Sequence, residues 1–523
     1  MRLGKSCLQC RVGKRRCDRT GSSACNQCMQ RSLPCSAVAI RREARPPAAS
    51  HTAPLAPTQS DEEEVLHLVD LYFKYMHDKP HTLFHEPTFK ASVAAGTVSQ
   101  PVLLSMIGLS ARFARDPEVR SHGPKYAAEA KKLLKDDLEH ICIENIQACI
   151  LVGNILLGDS DPDAESLYFV LANRMAQILN LRAVNESDDG VTRETKLRVW
   201  WTCFIVDTWA SGGSNLSRQF RLEPKRPRVP MDETAFFRMQ AGEPDIAESE
   251  WKPGFWGHTV GLVEIYKQIQ DLNKHLAETV EWDEDIIEDA VRSLDAELVA
   301  FDHNLEPRMR WSLENLAGQV SLGQGRTFVA FQLGYHHYCT LLFYQYLDYR
   351  RPSTRNGRVY AERCKYHATI ICEILNASRE REGAEAIYNI VGHLTVVSSS
   401  VLLHTYLFGE ASELPDSRRR LESNLESLVQ LRGYWSSVEL MINRLVIFQN
   451  NCIKSLTRNT HRFDRWMVKF LLEHALALEE KVAETPDAQL EMRIDRIVES
   501  IHLERSRVTH SIIMDMRNVN YWE

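Results

Sequence analysis

Beyond residue 62 the apolar positions of this chain recur at helical spacing almost throughout. Leu167, Leu171, Met175, Ile178 and Leu179 share one face of a helix expected over Ala164–Leu181, and Ile494, Ile497, Val498 and Ile501 mark another. Leu262, Ile265, Ile269, Leu272 and Leu276 keep a 3-4 spacing over two heptads. That falls short of the three or four a coiled coil needs, so a core-facing amphipathic helix is predicted. Asn389–Phe408 runs twenty residues without a charge, long enough to cross a bilayer. It carries His393, His404, three serines and two threonines, and no second span accompanies it, which predicts a buried helix and no membrane contact. Breaks are expected at Ser187–Val191, at Arg351–Arg358 with Pro352 and Gly357, and at Gly409–Ser417. Alternating β-branched runs joined by hairpin turns are absent, so residues 62–523 read as all-α. A single core stops growing near roughly 250–300 residues, so an elongated or two-lobed body is expected.

The pattern changes before residue 62. Residues 46–61 are rich in Pro, Ala, Ser and Thr without periodicity and read as a semi-extended tether. Asp61–Glu64 is too short for an acidic activation region and reads as charge at a helix N-terminus. Charge is divided unevenly along the chain. Its net is −7, yet residues 1–45 hold eleven Lys/Arg against two Asp/Glu, a net of +9. The remaining 478 residues therefore carry −16. Such asymmetry points the N-terminal end at nucleic acid, and Arg41, Arg42 and Arg45 also suit a nuclear import signal.

Six of the thirteen cysteines fall in the first thirty-five residues, at Cys7, Cys10, Cys17, Cys25, Cys28 and Cys35. The spacing C-x2-C-x6-C repeats after seven residues, and no histidine precedes His51. The chain opens Met1-Arg2-Leu3-Gly4-Lys5-Ser6 without an apolar run, so a reducing compartment is expected, where dense thiols favour metal over disulfides. A segment this short also needs a staple to fold, and zinc thiolates supply one. One tetrahedral zinc would leave two thiols over, whereas two zincs need eight positions, which six thiolates fill if two bridge. Four thiolates around each ion leave no open position, so the zinc is structural rather than catalytic. The cationic strip Arg11-Val-Gly-Lys-Arg-Arg16 sits inside this cluster. Cys142, Cys149, Cys203, Cys339, Cys364, Cys372 and Cys452 lie scattered in apolar settings and read as buried thiols.

At these residues the chain resembles the fungal zinc binuclear cluster (Zn2Cys6) transcription regulators. The resemblance implies that Cys7 and Cys25 bridge two zinc ions, with Cys10 and Cys17 completing one site and Cys28 and Cys35 the other. It implies a short helix entering the major groove of double-stranded DNA at a CGG-type site. Lys14 matches the base-reading lysine, whose donors suit guanine O6 and N7. Arg11 and Arg16 match flanking positions that hold phosphates, Arg15 adds a backbone contact, and Arg31 is a candidate phosphate contact in the second half-repeat. The chain departs from the family in three places. Gly13 stands where a second Lys or Arg is usual, the loop 18–24 lacks its common proline, and no heptad-repeat helix follows the cluster. A homodimer would therefore be built by the large domain; otherwise the protein binds as a monomer.

The body resembles the fungal-specific middle homology domain of these regulators. The resemblance rests on Leu68–Phe89, Gly158–Gln177, the Glu194…Arg198-x-Trp200-Trp201…Asp207 segment and Leu294–Trp311. The expected organisation is a Zn2Cys6 DNA-binding domain over 1–40, a linker over 41–61 and an all-α regulatory domain over 62–523. Trp200, Trp201, Phe204 and Trp209 read as core. The sharper alternative is an effector pocket lined by these aromatics, with Arg198 or Arg218 meeting an acidic small molecule. An alternative from another class is a zinc-cluster interaction module without specific DNA reading. His77, His81 and His85 have a metal-like spacing, but Pro80 breaks it and they read as surface or capping residues. Asp159–Asp163 mimics a calcium loop without its glycine and reads as a turn before a helix. There is no G-x-S-x-G elbow, Walker loop or Rossmann glycine pattern, and an enzyme is not expected. A nuclear DNA-binding regulator of RNA polymerase II genes is the function these features imply.

Overall fold

A computed structural model of the chain describes Cys17, Cys25–Met29, Arg31 and residues 59–523, apart from 213–216, 221–225, 280–282, 349–353, 458–462, 475, 482–495 and 518–523. Backbone contacts divide the chain into Met1–Asp61 and Glu62–Glu523. Among the described residues every regular element is a helix, and the only bridges are His77 with His81 and Met231 with Pro253. One helical turn, α1 (Asn26–Met29), lies in the first unit. The next helices are α2 (Gln59–Tyr75), α3 (Glu86–Ala94), α4 (Gln100–Ser110), α5 (Pro117–Asp136), α6 (Ile143–Gly158), α7 (Pro162–Leu179) and α8 (Gly190–Ala210). After the short α9 (Glu233–Arg238) come α10 (Phe255–Glu278), α11 (Glu284–Asn304), α12 (Leu313–Ser321), α13 (Gly325–Phe343) and α14 (Gly357–Glu380). The series closes with α15 (Ile390–Phe408), α16 (Leu414–Arg432), α17 (Val438–Thr457), α18 (Arg465–Leu472) and α19 (Arg496–Arg517).

Local chemistry sets where these helices start. Asp116, Asp161, Asp189, Asp232, Asp283, Ser312 and Asp464 each stand at an N-cap and accept a backbone N–H from the first turn. Pro117 and Pro162 follow their caps in the first turn, where a missing N–H costs nothing. Asp161 thus does what the Asp159–Asp163 turn was expected to do. Asn180 ends α7 in the left-handed region at φ 49°.

Consecutive helices pack as neighbours, α4 on α5, α6 on α7, α13 on α14 and α15 on α16. Close approach is bought by glycine at the first crossing: a Cβ on Gly108 would lie 2.9 Å from the backbone nitrogen of Ala127. The uncharged helix α15 is buried from Val391 to Leu407, as its interrupted apolar run predicts. Its serines are satisfied inside the protein. Ser398 donates to the Ala368 carbonyl, Asn424 reaches Ser398 and Ser399, and Tyr344 meets Ser400 at 2.7 Å. On α10, Leu262, Ile265, Ile269 and Leu276 are buried and Leu272 packs beside them, as expected of a core-facing stripe.

Two expectations need correction. Of the elongated or two-lobed alternatives the two-lobed one is not found: Glu62–Glu523 is one unit, and among the described residues one contiguous apolar cluster runs from Leu68 to Ile513, with a small satellite around Val191, Met231, Phe236 and Met239. Helices α13 and α15 are buried along nearly their whole length, so elements on either side of them share one core. The inward face of α7 is only in part the predicted one, since Met175 is buried and Leu171 partly so. Leu167 and Ile178 are each 57% exposed, whereas Tyr168, Phe169, Ala172, Asn173, Met175 and Ala176 are buried. Aromatic and small residues win that face because α6 comes close enough for a Cβ on Gly153 to strike Phe169. Of the last apolar face, Ile494 lies outside the described residues and Ile501 is exposed, while Ile512 and Ile513 carry the buried side of α19.

Candidate functional site

The cysteine cluster is described at Cys17, Cys25 and Cys28; Cys7, Cys10, Cys35, Lys14, Arg11, Arg15 and Arg16 lie outside the described residues. The Cys25 carbonyl accepts the N–H groups of Cys28 and Met29 at 3.0 Å, and the Cys28 carbonyl accepts that of Arg31 at 3.2 Å. This winding puts the two thiols three residues apart on one side of a turn. Both are buried, while Asn26, Met29 and Arg31 face solvent. Paired inward thiols on a single turn suit soft metal ligation, and the exposed Arg31 suits contact with a phosphate.

In the body, the Glu194…Arg198-x-Trp200-Trp201…Asp207 segment of α8 forms a buried clamp. Arg198 is fully buried and its Nε donates to Glu194 Oε1 at 3.0 Å. Its remaining nitrogens donate to the Met231 carbonyl (2.6 Å) and Thr82 Oγ1 (3.2 Å), and Asp78 lies 3.7 Å away. Glu194 also accepts the Met231 N–H at 2.9 Å, Trp201 donates to the Arg228 carbonyl, and Asp207 accepts the N–H groups of Gln219 and Phe220. Burial pushes the carboxyls of Glu194 and Asp207 up. These residues therefore pin two irregular segments onto α8. Arg198 is fully buried and already neutralised by Glu194 and Asp78, and Arg218 is held by Asp271 and Gln270. Trp201 and Phe204 are core as predicted, with Trp200 and Trp209 partly buried against them.

The three spaced histidines are buried, not on the surface. His85 caps α3, as one of the two expected roles required. His77 Nε2 accepts the N–H groups of Leu83 and Phe84, and His81 pairs with the Tyr72 hydroxyl at 2.9 Å. The turn between them places Asp78 at a left-handed φ of 60°, which aspartate tolerates. No three metal-ligating groups converge among the described residues.

A cavity that opens partly to solvent lies among α8, α10, α13, α15 and the end of α18. Its walls are aromatic: Trp209, Phe255, Trp256, Tyr266, Phe331 and Tyr338. Tyr266 and Tyr338 stack with centroids 4.0 Å apart, and Trp209 Nε1 donates to the Tyr338 hydroxyl. Four buried polar atoms on residues lining it make no hydrogen bond: Trp256 Nε1, His337 Nδ1, His393 Nδ1 and Asp78 Oδ1, the last ion-paired with His77. Burial holds His337 down at about 3, and His393 lies well below the usual imidazole range for the same reason. At the rim, burial lowers Lys79 to about 8, and its amine donates to the Phe73 and His77 carbonyls. Of the aromatics expected in an effector pocket only Trp209 lines this space; Trp256, His337 and His393 were missed. The one signal for them was a histidine pair and a lone histidine inside otherwise apolar helices.

The sequence profile of the fungal specific transcription factor domain matches residues 69–223, the span that holds the α8 clamp. The transcriptional regulatory protein C1327.01c of Schizosaccharomyces pombe is 26% identical over 316 residues, 53% of this chain and 32% of its own length. The Zn(2)-C6 fungal-type transcription factor FTF2 of Fusarium oxysporum f. sp. lycopersici is 19% identical over 438 residues, 76% of this chain and 41% of its own length. A second such factor from the same organism, FTF1c, is 20% identical over 435 residues, 75% of this chain and 46% of its own. The chain thus spans about a third to just under half of the length of these curated relatives. Residues 69–223 thus carry the fungal specific transcription factor domain, and the chain is similar to transcription factors of the Zn(2)-C6 fungal type.

Proposed function

We propose that the protein is a nuclear, sequence-specific DNA-binding regulator of RNA polymerase II transcription. The observation that carries this reading is the six-cysteine half-repeat with a cationic strip inside it, on a chain whose residues 69–223 match the fungal specific transcription factor domain. Cys7, Cys10, Cys17, Cys25, Cys28 and Cys35 would hold two structural zinc ions, and the buried, same-sided thiols of Cys25 and Cys28 fit that role. Zinc would supply folding energy to a segment too small to fold on apolar burial alone. Lys14 reads a CGG-type triplet, while Arg11, Arg15, Arg16 and Arg31 hold phosphates. The organisation is a DNA-binding domain over 1–40, a linker over 41–61 and a regulatory body over 62–523. The chemistry proposed is binding, with no catalytic step.

Fluorescence anisotropy of the full chain on labelled duplexes tests this. A CGG probe should bind more tightly than a scrambled one, and a zinc chelator should abolish the difference. Lys14→Ala should remove the preference for CGG at a cost of roughly 1–3 kcal/mol, whereas Arg16→Ala should weaken all duplexes alike and flatten the salt dependence. Preference that survives complete zinc removal, or Lys14→Ala, would falsify the mechanism. Weak, sequence-blind binding with a steep salt slope would favour the interaction module instead.

A further inference from the structure

We propose that the cavity among α8, α10, α13 and α15 binds a neutral, flat aromatic molecule bearing a hydroxyl group. This goes beyond DNA reading and rests on the body alone. The walls select the shape: stacked Tyr266 and Tyr338 with Trp209, Trp256 and Phe331 present ring faces and edges that suit a planar apolar body. The partnerless atoms select the polar group. An indole N–H can only donate, so Trp256 Nε1 calls for an acceptor. His393 Nε2 lies 3.0 Å from the Leu471 carbonyl and must donate to it, since burial keeps the ring neutral. Its Nδ1 is then a bare acceptor that calls for a donor. A hydroxyl is the smallest group that offers both functions, and His337 Nδ1 adds a third partner of either sense.

Charge is disfavoured because the ionised groups on this wall already have partners. Asp78 is engaged by His77 and Arg198, and the Lys79 amine is spent on two carbonyls. A carboxylate or ammonium entering this space would lose its water and have to draw Lys79 or Asp78 away from these partners. Ordered water is the rival occupant, since polar cavities of this kind are often wet.

The full-length protein can be titrated with 2-naphthol as a neutral hydroxylated probe, with naphthalene and 2-naphthoate as comparisons. The melting temperature should rise with 2-naphthol, and tryptophan emission from Trp209 and Trp256 should quench saturably. Naphthalene should bind roughly tenfold or more weakly, because it leaves the buried donor and acceptors unpaired. The anion should not bind. Gly334 lines the cavity on α13, and a Cβ there would meet nothing closer than Leu262 Cδ2 at 4.0 Å. Gly334→Leu should therefore fill the space, keep the melting temperature and abolish the titration; His337→Phe serves if that variant does not fold. Absence of saturation would mean a wet cavity and overturn the proposal. So would equal binding of naphthalene or 2-naphthoate, or unchanged binding in a folded variant. Duplex binding is read separately, so failure of the DNA proposal leaves this result standing.

Discussion

Arg198 shows how one side chain can hold a fold motif together. Its guanidinium lies fully buried with Glu194 beside it, and it ties the 78–82 turn and the Met231 backbone to α8. Replacing it by methionine leaves a carboxylate buried without its partner, a loss of about 3–5 kcal/mol in urea unfolding of the full chain. The exposed pair Arg292–Asp289 gives the comparison, because Arg292→Ala should cost under about 0.5 kcal/mol. The motif is legible in sequence as a pattern, but its work is not. An arginine four residues after a glutamate reads as a helix-surface pair until the segments that cover it are placed, and those lie at separations of 33 to 116 residues. For the same reason Arg198 looked like a ligand contact and proves to be a scaffold.

Single helices separate what periodicity can and cannot say. The stripe on α10 was readable because its apolar residues outnumber other candidates for the inward face. On α7 two faces competed, with Leu167, Leu171, Met175 and Ile178 on one and Tyr168, Phe169 and two alanines on the other, and only Met175 of the first is fully buried. Hydropathy favoured the first, and the close approach of α6 at Gly153 selected the second. Phe169→Ala should cost about 3–5 kcal/mol by leaving a void, whereas Leu167→Ala or Ile178→Ala should stay within roughly 0.5 kcal/mol, all read as shifts in urea midpoint. Helix starts were more legible than faces, since an aspartate cap acts locally and needs no partner from elsewhere. The cavity was the least legible feature, because its walls come from five elements and its polar atoms are defined by the partners they lack.

At the scale of the whole body, neutral buried histidines should govern the response to acid. Burial holds His81, His337 and His367 at about 3, far below the usual 6.5. The unfolded chain binds more protons than the folded one between those values, so stability is full above pH 6.5 and falls as pH drops toward 3. Each histidine contributes up to ~1.4 kcal/mol per pH unit in that window. The melting temperature should therefore fall steeply from pH 6.5 to 5, and His367→Phe should flatten the decline. A slope unchanged by that substitution would assign the acid sensitivity to other groups.

Helix α15 has a consequence for the chain while it is incomplete. Its nineteen residues carry no charge, and it gains cover from α14 on one side of the sequence and from α16, α17 and α19 on the other. During synthesis the segment emerges before half of its shelter exists, and for that interval it has the length and hydropathy of a membrane span. A stop codon just after Phe408 would make the interval permanent. Such a product should partition into aggregates or detergent-soluble membrane fractions on cell fractionation, rather than persist as a shortened regulator. The last quarter of the chain thus acts as a lifelong chaperone for the helix before it.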